Sequence, residues 1–134
     1  MAPIPPYARR TPAKPWRASR YSLDSEEGAP VHKRAEERKW RATEYEGVEI
    51  CGLRRNEEGG GAVLIRLARG ARFPMHDHPG GEEVYVVHGR AVIGGTTVVA
   101  GDYLWTPPHG THDLRAEEET MLFVTSLNGV RVIE

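Results

Sequence analysis

The chain has 134 residues, of which 28% are charged and 39% hydrophobic, and a formal net charge of −1. That length suits one ordinary domain, and no apolar run approaches the ~18 residues that a membrane span needs. A single cysteine, Cys51, excludes an internal disulfide framework and a cysteine-rich zinc site. The expected compartment is therefore the reducing cytoplasm.

The first twenty residues carry Arg9, Arg10, Lys14, Arg17 and Arg20 and no acid, so the remainder of the chain is acidic. Pro3, Pro5, Pro6, Pro12 and Pro15 deny this stretch a helix or an inner strand. It lacks the apolar h-region of a secretory signal. A solvated basic tail on an acidic body is the expectation, and nucleic-acid binding is not favoured, because a binder carries its basic face on its folded part. Residues 21–40 are charge-dense, with a short helix expected over Ala35–Trp40. Residues 1–40 are thus read as a Pro/Arg-rich N-terminal arm and 41–134 as the folded domain.

From Ala42 onward the pattern is of short strands between glycine-rich turns. Gly47–Leu53, Ala62–Ala68, Glu82–His88, Arg90–Ile93, Thr96–Ala100, Tyr103–Thr106, Met121–Ser126 and Val130–Ile133 are the expected strands. Val63, Ile65 and Leu67 share one face at period two. Gly94-Gly95 marks a two-residue hairpin. Strands at this spacing, with no long helix, indicate an all-β sandwich or barrel. A domain this small buries a limited fraction of its surface, so a homodimer is expected.

The chemistry sits between Gly70 and Glu83. His76 and His78, two apart on an extended chain, send their imidazoles to one face. Pro79-Gly80-Gly81 then makes a bend that can return the Glu82 carboxylate to the two rings. Two imidazoles and a carboxylate suit a divalent first-row metal with open positions. Downstream, His109 and His112 offer a further histidine. His88 is too far along its strand to join and is read as a rim or interface residue. Asp77 faces away as an acceptor for a ring N–H, and Glu83 is solvated or paired with a basic neighbour. Tyr85, Phe73, Met75 and Trp105 are read as core or pocket wall, and Cys51 as a buried small apolar residue.

These residues resemble the cupin family. Gly70-x5-His76-x-His78-x3-Glu82-x6-Gly89 matches the first cupin motif at every fixed position. In the second motif Gly101-x5-Pro107 and His112 match, Gly110 stands one place late, and Ala116 replaces the final asparagine. Spacing to Pro107 favours His112 over His109. The resemblance implies a small jelly-roll β-barrel, often dimeric, with a metal held in its mouth by His76, His78, Glu82 and His112. The Pro-Gly-Gly-Glu-Glu run is similar to two kinds of cupin. One is the cupin domain of zinc-dependent anti-sigma factors; the other is the small iron dioxygenases that cleave diketones or aryl ketones.

The resulting expectation is a mononuclear metal-dependent dioxygenase acting on a small chelating carbonyl compound, with Fe(II) foremost and Mn, Ni or Zn as alternatives. Glu82 would be a ligand and a catalytic proton acceptor, a role that needs its pKa raised by burial. An apolar wall of Met75, Val84, Val86, Leu104, Trp105 and Phe123 would receive the substrate. The alternative is a non-catalytic metal or ligand sensor acting through a protein partner. A sugar-phosphate isomerase ranks last, because only Arg66 and Arg90 were candidates for a phosphate site.

Overall fold

The computed structural model describes residues 28–134, and the proline-rich basic stretch, with Trp16 and Tyr21, lies outside the described residues. Eleven strands are present among those described: β1 Arg41–Ala42, β2 Val48–Arg55, β3 Gly60–Leu67, β4 Arg72–Asp77, β5 Glu82–His88, β6 Arg90–Ile93, β7 Thr96–Val99, β8 Tyr103–Thr106, β9 Thr111–Ala116, β10 Thr120–Leu127 and β11 Arg131–Val132. They form two antiparallel sheets, in the orders β1-β2-β3-β10-β5-β8 and β11-β4-β9-β6-β7. No described helix is long and apolar enough to cross a membrane.

The expected strands are all present within a residue or two at each end. Three were not separated out beforehand. β4 and β9 hold the motif residues themselves, and β1 is only two residues long. The hairpin at Gly94-Gly95 has φ of 56° and 80°, the doubly positive geometry of a tight turn between twisted strands. The helix expected over Ala35–Trp40 is reduced to one 3-10 turn, Ala35–Glu37. Arg34 supplies no side-chain cap, and the turn buries no residue, so nothing offsets the cost of nucleating a longer helix.

The sheets pack through period-two faces. In β5, Glu82, Val84 and Val86 point inward while Glu83 and Tyr85 point out. Leu67, Val84, Leu122 and Val124 of the larger sheet meet Ile93, Val98 and Leu114 of the smaller one. This parity corrects part of the expected pocket wall. Trp105 pairs with Glu83 and Phe123 with Tyr85, so both stand on the outer face. Tyr85 and Trp105 are about half exposed, at 48% and 49%. Glu83 accepts a hydrogen bond from the Tyr103 hydroxyl at 3.1 Å rather than pairing with a base. Cys51 is buried, as expected.

Leu67 is fully buried and Val87 is 45% exposed. Leu67→Ala is expected to cost about 2–5 kcal/mol in chemical denaturation. Val87→Ala should cost no more than about 0.5 kcal/mol. Equal losses would contradict this assignment of the core.

Candidate metal centre

Four side chains converge between the sheets. His76 lies on β4 directly across from His112 on β9. His78 follows the end of β4, and Glu82 opens β5 in the facing sheet. All four residues are buried, and their nearest ligating atoms lie within 4.8 Å of one another. Donors placed 2.0–2.2 Å from one ion are at most roughly 4.4 Å apart, so a small contraction would satisfy a shared cation.

Local structure aims each ring. Gly81, at φ 84°, makes the bend before Glu82, and a Cβ there would come within 2.7 Å of Trp105. His76 donates its Nδ1–H to the Pro74 carbonyl at 2.7 Å, and His78 donates its own to the Gly110 carbonyl at 2.7 Å. A carbonyl can only accept, so Nδ1 carries the proton in the neutral ring of each and Nε2 faces inward. Thr106 Oγ1 lies 3.4 Å from Nδ1 of His112. Around the ring of His76, Phe73 packs edge-on at 4.8 Å.

The late glycine of the second motif has a structural purpose. A Cβ on Gly110 would approach Thr106 Cγ2 to 2.6 Å, while its carbonyl holds His78. The extra residue is absorbed by His109, which adopts φ 68° and is exposed. His112, not His109, therefore stands among the converging side chains. Asp77 does not accept from a ring. It takes Arg131 at 3.1 Å and so ties β11 to the strand that bears His76 and leads into His78. Glu134 braces the same strand through the Met75 N–H at 2.8 Å.

The electrostatics suit a cation. Burial lowers the His76 pKa, and the neighbouring His112 and His78 lower it further, outweighing the Pro74 contact. His76 is thus neutral and free to ligate. Burial also disfavours charge on His78, yet Glu82 and the Gly110 carbonyl outweigh it and raise its pKa. For Glu82, burial pushes upward, but the imidazoles of His112 and His78, at 3.6 and 3.4 Å, hold the carboxyl at about 2. The raised carboxyl expected for a proton-accepting Glu82 is therefore not found; the group is ionised. His78 Nε2 is fully buried and, with Glu82 at 3.4 Å, has no hydrogen-bond partner of good geometry among the described residues. An orphaned buried nitrogen beside an ionised carboxylate is what a cation would satisfy, so the residues fit a divalent metal.

A cavity of about 490 Å³ reaches this centre. Val63, Ile65, Phe73, Val84, Leu122 and Val124 form much of its wall. Of the six wall residues expected, only Val84 lines it, because parity turns the others outward or into the core. At its open end lie Lys33, Arg41, Arg54 and Arg55, which were not singled out beforehand. The three arginines are brought together by the pairing of β1 with β2, next to which Lys33 lies in the preceding segment. Arg66 and Arg90 are engaged elsewhere, with Glu49 and with Glu117 and Glu118.

Residues 29–131 match the family model of the ChrR cupin-like domain. Among solved structures, an acetylacetone dioxygenase from Acinetobacter johnsonii shares the fold with a TM-score of 0.68 at 17% identity, covering 78% of this chain and 77% of that one. The Rhodobacter sphaeroides SigE complex with the anti-sigma factor ChrR aligns with a TM-score of 0.59 at 24% identity, over 70% of this chain and 51% of the other. A curated relative, the DNA damage-repair/toleration protein DRT102 of Arabidopsis thaliana, is 29% identical over 70 residues, 48% of this chain and 23% of its own length.

The depressed Glu82 carboxyl contributes stability that is present above its ordinary pKa of 4.5 and is lost as pH falls toward about 2. In metal-free protein, the stability advantage of wild type over Glu82→Gln should therefore shrink steadily through that window. Urea denaturation at a series of pH values checks this. A difference that does not change with pH would contradict the ionised state of Glu82.

Proposed function

The chain belongs to the ChrR cupin-like domain family, and from that membership and the cavity that reaches its His3Glu centre we propose that it is a mononuclear metal-dependent dioxygenase. Its substrate in this reading is a small carbonyl compound that chelates through two oxygens. The cavity carries the reading: a purely structural metal site is closed by its own ligands and needs no chamber of about 490 Å³ beside it.

His76, His78, His112 and Glu82 would hold the ion. A divalent redox metal, Fe(II) foremost, would supply Lewis acidity and electron transfer, which zinc does not offer in full. Cleavage by a dioxygenase places both atoms of dioxygen in the products as one carbon–carbon bond breaks, so no further reductant is needed. The chain's own residues orient and exclude water. Pro74 and Gly110 hold the two rings against rotation, which keeps the donors fixed as substrate enters. Val63, Val84, Leu122 and Val124 provide a dry wall for the substrate's carbon skeleton. Glu82 would be the carboxylate ligand, and an oxygen that the ion leaves free is the group of the centre placed to take a proton from a chelating substrate, since both nitrogens of His78 are committed, one to the ion and one to the Gly110 carbonyl.

A second reading is favoured by the family match over residues 29–131. In it, the same centre acts as a non-catalytic sensor that signals to a protein partner. The two readings separate on oxygen consumption. Iron-loaded protein given a panel of 1,3-diketones and aryl ketones should consume oxygen well above the free-iron rate, and Glu82→Ala should lose at least about tenfold of that rate. Uptake equal to free iron across the whole panel would overturn the dioxygenase reading and leave the sensor.

A further inference from the structure

We propose that the cavity is built for an amphipathic anion, whose acid group sits on the cationic rim while its other end faces the His3Glu centre. The inference deepens the proposed function, resting on it only for what happens at the metal end.

The charge distribution is one-sided. Lys33, Arg41, Arg54 and Arg55 line the cavity, and Glu82 at the far end is the only carboxylate among its described lining residues. All four cations are exposed, so they mark the mouth rather than the floor. None makes an ion pair among the described residues. Outside the cavity, Arg66, Arg72, Arg90 and Arg131 each pair with a carboxylate at 3.3 Å or less, while Arg38, Lys39 and Arg69 have no such pair among the described residues, so it is the gathering of cations at one opening that marks the cavity. An exposed arginine next to a carboxylate usually takes it. Arg54 donates to the Asn56 Oδ1, which leaves Lys33, Arg41 and Arg55 at one opening with no ion pair among the described residues, a binding surface for an anion.

The register sets the length. Glu82 pairs with Ser126, Ser126 with Gly61, and Gly61 with Arg55. Three strand spacings of about 4.8 Å put the backbones of Glu82 and Arg55 roughly 14 Å apart. Val63, Val84 and Val124 lie alongside that row. The path therefore runs from polar to apolar to cationic, and it fits a short acyl or aryl body with an acid at one end.

Gly52 supports the same path. It pairs with Val63 in the inward row and lines the cavity. Its φ is not positive, and a Cβ built there would meet nothing within 4 Å among the described residues. Neither backbone strain nor packing demands glycine at this position. What its missing side chain leaves is open space in the wall between Arg41 and Arg55, where a ligand would pass.

Octanoate and octanamide, equal in length and differing in charge, test this by calorimetry on chelator-treated protein, so that no metal takes part. Octanoate should bind about tenfold tighter than octanamide, the preference expected of charge-assisted hydrogen bonds at an open rim. Arg41→Gln/Arg55→Gln should reduce that preference to about threefold or less while octanamide binding is retained. Arg66→Gln, outside the cavity, should leave the preference intact. Gly52→Val should weaken both probes alike. Equal affinity of the two probes, a preference that survives the double variant, binding of neither probe, or indifference to Gly52→Val would each overturn the proposal. None of these results depends on oxygen uptake, so failure here and failure of the dioxygenase reading are told apart.

Discussion

His76 and His78 each donate the Nδ1–H to a backbone carbonyl, and that commitment points Nε2 into the space shared with Glu82 and His112. The rest of the structure follows from keeping those rings there. Two sheets must face each other so that β4 and β9 present histidines across from a carboxylate on β5. Strand β11 and Glu134 clamp β4 from its other side, through Arg131 to Asp77 and through the Met75 N–H. Gly110 must be glycine to bring its carbonyl to His78 without striking Thr106. The result is a buried nitrogen with no well-formed hydrogen bond among the described residues, beside an ionised carboxylate, which is costly unless a cation fills the gap.

Much of this was legible in the sequence because spacing and parity are local properties. The separation of His76 and His78 puts both rings on one side of any extended strand, and Gly80-Gly81 marks the bend to Glu82. The Gly94-Gly95 hairpin and the alternation in β5 are equally local. What could not be read depends on which strand lies beside which. Trp105 and Phe123 looked like cavity wall until pairing with Glu83 and Tyr85 placed them on the outer face. The carbonyl partners of the imidazoles were hidden too, since Gly110 lies 32 residues from His78. Burial alone would raise the Glu82 carboxyl, and the two imidazoles that outweigh it are brought there only by the fold.

The cavity unites a metal-type donor set with an apolar middle and a cationic rim. That gradient separates it from a closed structural site. It also relates the two functional readings, because a sensor and an oxygenase would each need a chamber that selects a ligand by shape and charge. The family match and the likeness to an acetylacetone dioxygenase share one scaffold, and on such a scaffold the site rather than the fold decides the chemistry.

Metal content, measured by elemental analysis on protein purified without a histidine tag, tests the central claim most directly. One equivalent of a divalent transition metal per chain, lost in His76→Ala and in His112→Ala while both variants remain folded, is the expected result. Protein that takes up no metal even after reconstitution, or variants that retain it in full, would contradict the reading of this centre as a metal site.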